Sequence, residues 1–221
     1  MIASRNISRF SEGEELANAI SHLIGAFLAV AALVLMVVYS ALRGNGWHIV
    51  SSAVFGTSMI VLYFSSSMAH WLPSGKRKDA FFTLDQIAIF ILIAGTYTPL
   101  SLVALKGTVG WIVFGIEWGL AVIGIARLLT RKNLYDSGVR LIDILIYAGM
   151  GWLVLFVSGA VLDKISPAGY IWIIIGGIFY TLGIVFYKVA KFPFHHLIWH
   201  ILVIGGTVSH FIAIFFYVLP R

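Results

Sequence analysis

Of the 221 residues, 60% are hydrophobic and 11% are charged, whereas soluble domains carry about 25% charged residues. The mean hydropathy is +0.98, which is too high for a surface that faces water, so the chain must face lipid. Because the sequence contains no cysteine, disulfides and thiolate nucleophiles are excluded, and any bound metal must use nitrogen and oxygen ligands. The net charge of +6 lies in short loops between apolar segments, which indicates a role in membrane orientation and not in nucleic-acid binding.

Seven apolar segments follow one another along the chain, each long enough for a transmembrane helix of about 20 residues. They cover about 17–42, 48–72, 80–105, 109–129, 139–161, 168–190 and 195–219. Before the first segment, Ser11–Glu14 predicts a helix-capping box and not a signal-peptide cleavage site. We therefore predict an all-α integral membrane bundle of seven transmembrane helices, forming a single domain over residues 1–221.

Basic residues in alternate loops predict the orientation. One side carries Arg5, Arg9, Lys76, Arg77, Lys78, Arg127, Arg131, Lys132, Arg140, Lys188 and Lys191, and the other carries Arg43, Lys106, Lys164 and Arg221. Because basic flanks stay in the cytoplasm, we predict a cytoplasmic N-terminus, an outside C-terminus and a plasma-membrane location.

Polar side chains from four predicted helices lie at one depth, near the cytoplasmic surface. They are Glu15, Asn18 and His22 at the start of the first helix, Ser66 and His70 at the end of the second, Asp85 early in the third, and His196 and His200 at the start of the seventh. Ionisable residues inside a membrane are costly and usually functional. Their convergence predicts a functional site at this depth.

Three histidines of this set predict a metal site. His196 and His200 are four residues apart, so their rings lie on one face of a helix, as in helical zinc sites. His70 supplies a third imidazole at the same depth. Three imidazoles and a water form a catalytic type of zinc shell, although iron, cobalt or nickel would also accept such ligands.

The motifs resemble those of a known family. Glu15-x-x-Asn18, Ser66-x-x-x-His70, Asp85 and His196-x-x-x-His200 are similar to the signature positions of the progestin and adipoQ receptor (PAQR) family, and most of all to its bacterial hemolysin III branch. The resemblance implies one zinc ion held by His70, His196 and His200, with Asp85 bonded to the zinc-bound water. Glu15, Asn18 and His22 share one face of the first helix and are predicted to belong to the surrounding polar cluster.

The predicted site supports more than one function. A zinc-dependent hydrolase of membrane lipid amides or esters, acting in membrane lipid homeostasis, would use Asp85 as general base. Ser66 would either orient Asp85 or donate to the oxyanion. The main alternative is a non-catalytic membrane sensor with a structural zinc. A cytolysin and an ion or proton transporter are less favoured, because a chain this apolar is not soluble before insertion and shows no discontinuous-helix repeat. The predicted partners are membrane lipids, including a lipid-like substrate.

Other polar residues receive separate predictions. His210 lies about 15 Å deeper than His200 at 1.5 Å per residue, so it cannot share the metal shell. Glu117 lies at a similar depth, and we consider either a buried pair with His210 or a water-lined cavity. Asp143 is predicted to interact with the positive end of its own helix. His22 is predicted either to bond Glu15 or Asp85 or to serve the metal.

Overall fold

The protein is a helical bundle whose computed structural model describes residues 10–131, 139–189 and 191–219. The helices are α1 (Glu12–Arg43), α2 (Gly46–Trp71), α3 (Lys76–Pro99), α4 (Gly107–Leu129), α5 (Leu141–Gly151), α6 (Ser158–Leu162), α7 (Pro167–Lys188) and α8 (His195–Ala213). π-Helical turns over Leu100–Leu105 and Ile214–Val218 extend α3 and α8. Within the described ranges, six helices (α1, α2, α3, α4, α7 and α8) are long and apolar enough to cross a membrane. The chain is therefore a multi-pass membrane protein.

Local sequence signals set the helix ends. The Glu14 N–H donates to Ser11 Oγ (3.3 Å), and the Ser11 N–H donates to Glu14 Oε2 (2.9 Å), so the predicted capping box is confirmed. At α7, Ser166 Oγ accepts a backbone N–H (3.4 Å) and Pro167 occupies the first helical position. These caps fix where α1 and α7 leave the membrane surface.

The helices pack as a ring that leaves space at its centre. α1 lies between α2 and α8, α2 packs on α3, α3 on α4, and α8 on α7. α5 completes the ring by contacting α3, α4 and α7. Large apolar side chains such as Phe27 and Leu42 are exposed on the outside, where lipid solvates them. α3 is the most enclosed of the long helices, and it lines the central space.

The fifth apolar segment, predicted as one helix over 139–161, is broken. α5 ends at Gly151, a 3₁₀ turn follows over Leu153–Leu155, and α6 begins only at Ser158. Tyr97 on α3 compensates for the break, because its Oη accepts the Val154 N–H (2.8 Å) and donates to the Gly151 carbonyl (3.0 Å). Backbone polar groups inside lipid need such partners, and here a side chain from another helix provides them.

Candidate metal centre

Three histidine rings converge at one end of the ring of helices. His70 lies in the last turn of α2, whereas His196 and His200 lie in the first two turns of α8. Each offers one ring nitrogen, and these atoms all lie within 4.8 Å of one another. The three histidines selected by spacing and depth are therefore close enough to hold a metal ion.

His70 is held by a carboxylate that is itself paired. Its Nδ1 lies 2.6 Å from Glu15 Oε2, and the other carboxylate oxygen accepts from Lys78 Nζ at 3.0 Å. Metal-binding histidines usually donate their second N–H to such a group, which fixes the tautomer and the ring orientation. Glu15 therefore leaves Nε2 of His70 as the nitrogen with a free lone pair.

His200 is also held at Nδ1 by hydrogen bonds, in this case from α1. Its Nδ1 lies 2.9 Å from Ser21 Oγ and 3.2 Å from the Asn18 carbonyl oxygen. Because a carbonyl only accepts, Nδ1 carries the hydrogen and Nε2 is available for a metal. Asn18 thus contributes through its backbone, whereas its side-chain amide is buried without a hydrogen-bond partner among the described residues. Sequence reasoning missed Ser21, although it lies one turn beyond Asn18.

The start of α8 is fixed against α1, which positions His196. Phe194 precedes the helix with a left-handed backbone (φ 62°), and its N–H donates to Glu14 Oε1 at 2.9 Å. Phe10, just before α1, covers the histidines, since its ring centroid lies 4.8 Å from that of His196 and 5.9 Å from that of His70. No sequence pattern pointed to Phe10, because an aromatic residue at a membrane surface is common.

Asp85 and Ser66 lie beside the histidines. Both line the same cavity as His70 and His196, and the Ser66 side chain is close enough to the Asp85 carboxylate to interact with it. Gln86 Nε2 lies at 3.5 Å from Asp85 Oδ2. Among the described residues, the group of mutually close metal-binding side chains contains the three histidines and not Asp85. The carboxylate is therefore near the metal position without belonging to the ligand group.

His22 does not form the predicted hydrogen bond to Glu15 or Asp85 within the described residues. It is also not in the group of mutually close ligand atoms, and its role towards the metal stays a prediction. It stacks on His200 with ring centroids 3.5 Å apart and planes 10° apart. Both ring nitrogens are buried without a hydrogen-bond partner in the described part of the chain. The reason is depth: two helical turns place His22 about 10 Å below Glu15, which pairs with His70 instead.

The predicted pair between Glu117 and His210 does not form. His210 on α8 faces α7, where its Nε2 lies 3.1 Å from the Ile173 carbonyl oxygen. Glu117 is fully buried on α4, which packs against α3 and α5, and neither carboxylate oxygen has a hydrogen-bond partner within the described ranges. Equal depth did not bring them together because they lie on helices that face different neighbours.

Asp143 interacts with more than its own helix. It accepts the Arg140 N–H at 2.9 Å, as expected near a helix start. It also pairs with Arg127, and with Arg131 at 2.9 Å. These contacts tie the end of α4 to the start of α5 at the histidine end of the bundle.

A cavity runs from the histidines into the bundle. His70, His196, Asp85 and His210 are among the residues that line it, and the helical rise separates His210 from His200 by about 15 Å. Much of the remaining wall is aliphatic, formed by residues such as Leu92, Ile93, Ile184 and Val203. The arrangement suits a long apolar group whose polar end lies at the histidines.

Comparison with known proteins identifies the relatives of this arrangement. The family model described as "Haemolysin-III related" matches residues 10–211, which include the three histidines, Glu15, Asn18 and Ser21. The chain belongs to the haemolysin-III-related family. This confirms the resemblance to the hemolysin III branch that the motifs predicted.

Members of the family in bacteria and animals align over nearly the whole chain. The "Hemolysin-3 homolog" of Bacillus subtilis (strain 168) is 41% identical over 94% of this chain and 96% of its own length. "Hemolysin-3" of Bacillus cereus is 38% identical over 94% of this chain and 93% of its own length. The human "Monocyte to macrophage differentiation factor" is 28% identical over 92% and 84%. The shared region is therefore the membrane bundle itself.

Proposed function

We propose that this haemolysin-III-related protein is a zinc-dependent hydrolase that cleaves lipid amides or esters within the membrane. One observation carries the proposal: three histidines that can hold a metal lie beside a carboxylate, at the end of a largely apolar cavity. A structural zinc site normally has four protein ligands. The ligand group found in the described residues has three, which fits a position left open for water or substrate.

The donor set favours zinc. Three imidazoles suit zinc well, and the hydrogen bonds at Nδ1 of His70 and of His200 leave Nε2 of each available for the ion. The bound ion would polarise a carbonyl and lower the pKa of water to about 7. Glu15 and the Asn18 carbonyl would hold His70 and His200 in position.

Asp85 and Ser66 would perform the proton chemistry. The Asp85 carboxylate lies within the cavity next to the histidines and can accept a proton from water as a general base. The Ser66 hydroxyl is close enough to interact with Asp85 and would keep it oriented. The aliphatic walls of the cavity would bind the acyl chain and exclude water from it.

The test uses purified, zinc-loaded protein in detergent, with a long-chain N-acyl amide and a long-chain ester as substrates. We expect fatty acid release by the unaltered chain and by His195→Ala, because His195 bonds the Phe192 carbonyl outside the ligand group. His200→Ala should lose both metal and activity. Equal release by His200→Ala and the unaltered chain would overturn the proposal.

We further propose seven crossings, with the N-terminus and the metal centre on the cytoplasmic side of the plasma membrane. Two contacts support a fifth segment that crosses despite its break: it starts beside Arg127 and Arg131, and α6 contacts the Leu100–Leu105 turn. Lys78 and Lys188 also lie at the histidine end, bonding Glu15 and the Val139 carbonyl. Arg5, Arg9, Lys132 and Arg221 of the predicted charge pattern lie outside the described residues.

The absence of cysteine from the sequence allows a direct test of this topology. A single cysteine at Lys164 should react with a membrane-impermeant thiol reagent from outside intact cells, and one at Lys76 should react only after permeabilisation. If both cysteines react from the same side, the fifth segment does not cross.

A non-catalytic zinc site in a membrane sensor is the second candidate. The three histidines lie on α2 and α8, and two of them bond residues of α1. A metal at this position would therefore hold the three helices together, which favours this candidate. This candidate predicts that zinc removal lowers the unfolding temperature while no substrate is ever cleaved.

A further inference from the structure

Cationic side chains are concentrated where α4, α5 and α7 meet at the histidine end of the bundle. Arg127 and Arg131 lie at or just beyond the end of α4, Arg140 directly precedes α5, and Lys188 ends α7. Asp143 is the carboxylate that joins the first two of them. Four cations and one carboxylate give this junction a net charge of +3, and segment 132–138 adds one lysine and one aspartate, which cancel. The junction therefore attracts anions.

Two of the four cations are available to an anion from outside the protein. Asp143 uses one carboxylate oxygen for Arg127 and the other for Arg131. Arg140 and Lys188 are exposed, and within the described ranges neither forms an ion pair. An anionic ligand at this junction would therefore bind at Arg140 and Lys188 and not at the two arginines that share Asp143.

The Lys188 ammonium is held beside Arg140. Its Nζ donates to the Val139 carbonyl at 2.6 Å, and this carbonyl belongs to the peptide group that continues into Arg140. The same Nζ lies 5.9 Å from the centre of the Tyr187 ring, within the range of a cation–π contact. An ammonium has three N–H donors, so two remain for a ligand after the bond to Val139. A positioned ammonium next to a guanidinium suits a phosphate group, whose oxygens accept from both.

Exposed apolar side chains continue from these cations into the membrane. Val185 lies one turn before Lys188 on the same face of α7, and Leu141 and Leu145 share a face of α5. All three apolar residues are exposed, so they contact lipid acyl chains. α5 and α7 pack much less closely on each other than α7 and α8 do, so an acyl chain can lie along their junction. Cations next to such an apolar surface match an anionic lipid better than a soluble anion.

We propose that the junction of α5 and α7 binds an anionic phospholipid. Its phosphate accepts from Lys188 and Arg140, and its acyl chains lie along the exposed apolar residues of the two helices. This site is separate from the three histidines and from their bonding partners on α1. The inference therefore does not depend on the proposed hydrolase function, and either can fail without the other.

The test is a competition between two phospholipids. Purified protein in an uncharged detergent binds a fluorescent phosphatidylglycerol, which is displaced by dioleoyl phosphatidylglycerol or by dioleoyl phosphatidylcholine. Both competitors carry a phosphate and the same acyl chains, but only the first has a net negative charge. Because one cation near a membrane surface contributes about 5-fold in affinity for anionic lipid and two contribute about 25-fold, we expect about a 25-fold preference for phosphatidylglycerol at low salt. Equal displacement by the two lipids would overturn the proposal, and so would displacement by inorganic phosphate at the same concentration.

Variants distinguish this site from general attraction to a basic surface. Lys188→Gln combined with Arg140→Gln should lower the preference for phosphatidylglycerol about 25-fold. Lys76→Gln combined with Arg77→Gln is the matched control, because it removes two exposed cations at the start of α3, at the same end of the bundle. This control should keep the preference within about 2-fold, as expected for screened charges away from the site. An equal loss in both double variants would overturn the proposal. If the first double variant does not fold, Arg140→Gln alone keeps the bond between Lys188 and Val139 and should lose about 5-fold; no loss in this single variant would contradict the site.

Discussion

The bond between Glu15 and His70 offers the sharpest test of the metal centre. The carboxylate accepts from His70 at 2.6 Å and from Lys78 at 3.0 Å, and the Glu15 and Lys78 side chains are only 15% and 7% exposed. In Glu15→Gln, the amide has one accepting end and one donating end. One of the two donors must therefore face another donor, and the negative charge that polarises the His70 ring is lost.

The magnitude follows from the role of this contact. Replacing a group that orients a metal ligand typically weakens metal binding by about 10- to 100-fold, or about 1.4 to 2.7 kcal/mol. We expect this loss of zinc affinity in Glu15→Gln, with one zinc still bound at saturation, because all three histidines remain. Competition with a chelator of known affinity, in detergent at constant pH, measures the dissociation constant.

Glu12→Gln is the matched control. Glu12 lies in the same first turn of α1 as Glu15 but is exposed, and its substitution by glutamine removes the same charge. Its zinc affinity should stay within about 2-fold of the unaltered chain, as expected for a screened surface charge. The reasoning fails if Glu15→Gln binds zinc as tightly as the unaltered chain, or if both variants weaken it equally.

Three further substitutions test neighbouring parts of the structure. Tyr97→Phe removes the hydroxyl that bonds two backbone groups at the α5 break and should destabilise the protein by about 1–3 kcal/mol in thermal unfolding. A smaller effect than that of Tyr39→Phe would contradict the role of this hydroxyl at the break. Ser21→Ala should weaken zinc binding only a few-fold in the chelator competition, about the effect of one neutral hydrogen bond, because the Asn18 carbonyl oxygen remains 3.2 Å from His200 Nδ1. A larger loss of zinc affinity than in Glu15→Gln would contradict this expectation. Asp143→Asn, which breaks a pair with two arginines, should lower the free energy of unfolding by up to about 3 kcal/mol, whereas the exposed Asp163→Asn should change it little.

The depth of a side chain along its helix could be predicted from the sequence. The neighbouring helix that the side chain faces could be predicted only in part. His196 and His200 share a face because they are four residues apart, and a helix of constant rise places His70 at their level. The same depth argument suggested a pair between Glu117 and His210, and this pair does not form. Depth does not specify which neighbour a helix faces, and α4 faces α3 while this part of α8 faces α7.

The break in the fifth segment also depends on tertiary structure. Gly149 and Gly151 weaken a helix, but glycine is common in membrane helices, so they did not distinguish a break from close packing. The deciding group is the hydroxyl of Tyr97, which lies more than 50 residues earlier in the chain. The covering ring of Phe10 was missed for the same reason, because its contacts are with residues distant in the sequence.

The candidate metal ligands and the proposed general base lie on different helices, which separates the two candidate functions. The three histidines lie on α2 and α8, and Glu15, Asn18 and Ser21 hold two of them from α1, whereas Asp85 lies on α3 and outside the ligand group. Asp85→Asn should therefore keep the zinc stoichiometry and affinity within about 2-fold of the unaltered chain. Hydrolysis should fall at least about 100-fold, because a general base contributes about 10²–10⁴ in rate. Zinc lost together with activity would indicate instead that Asp85 is a fourth ligand of a structural site.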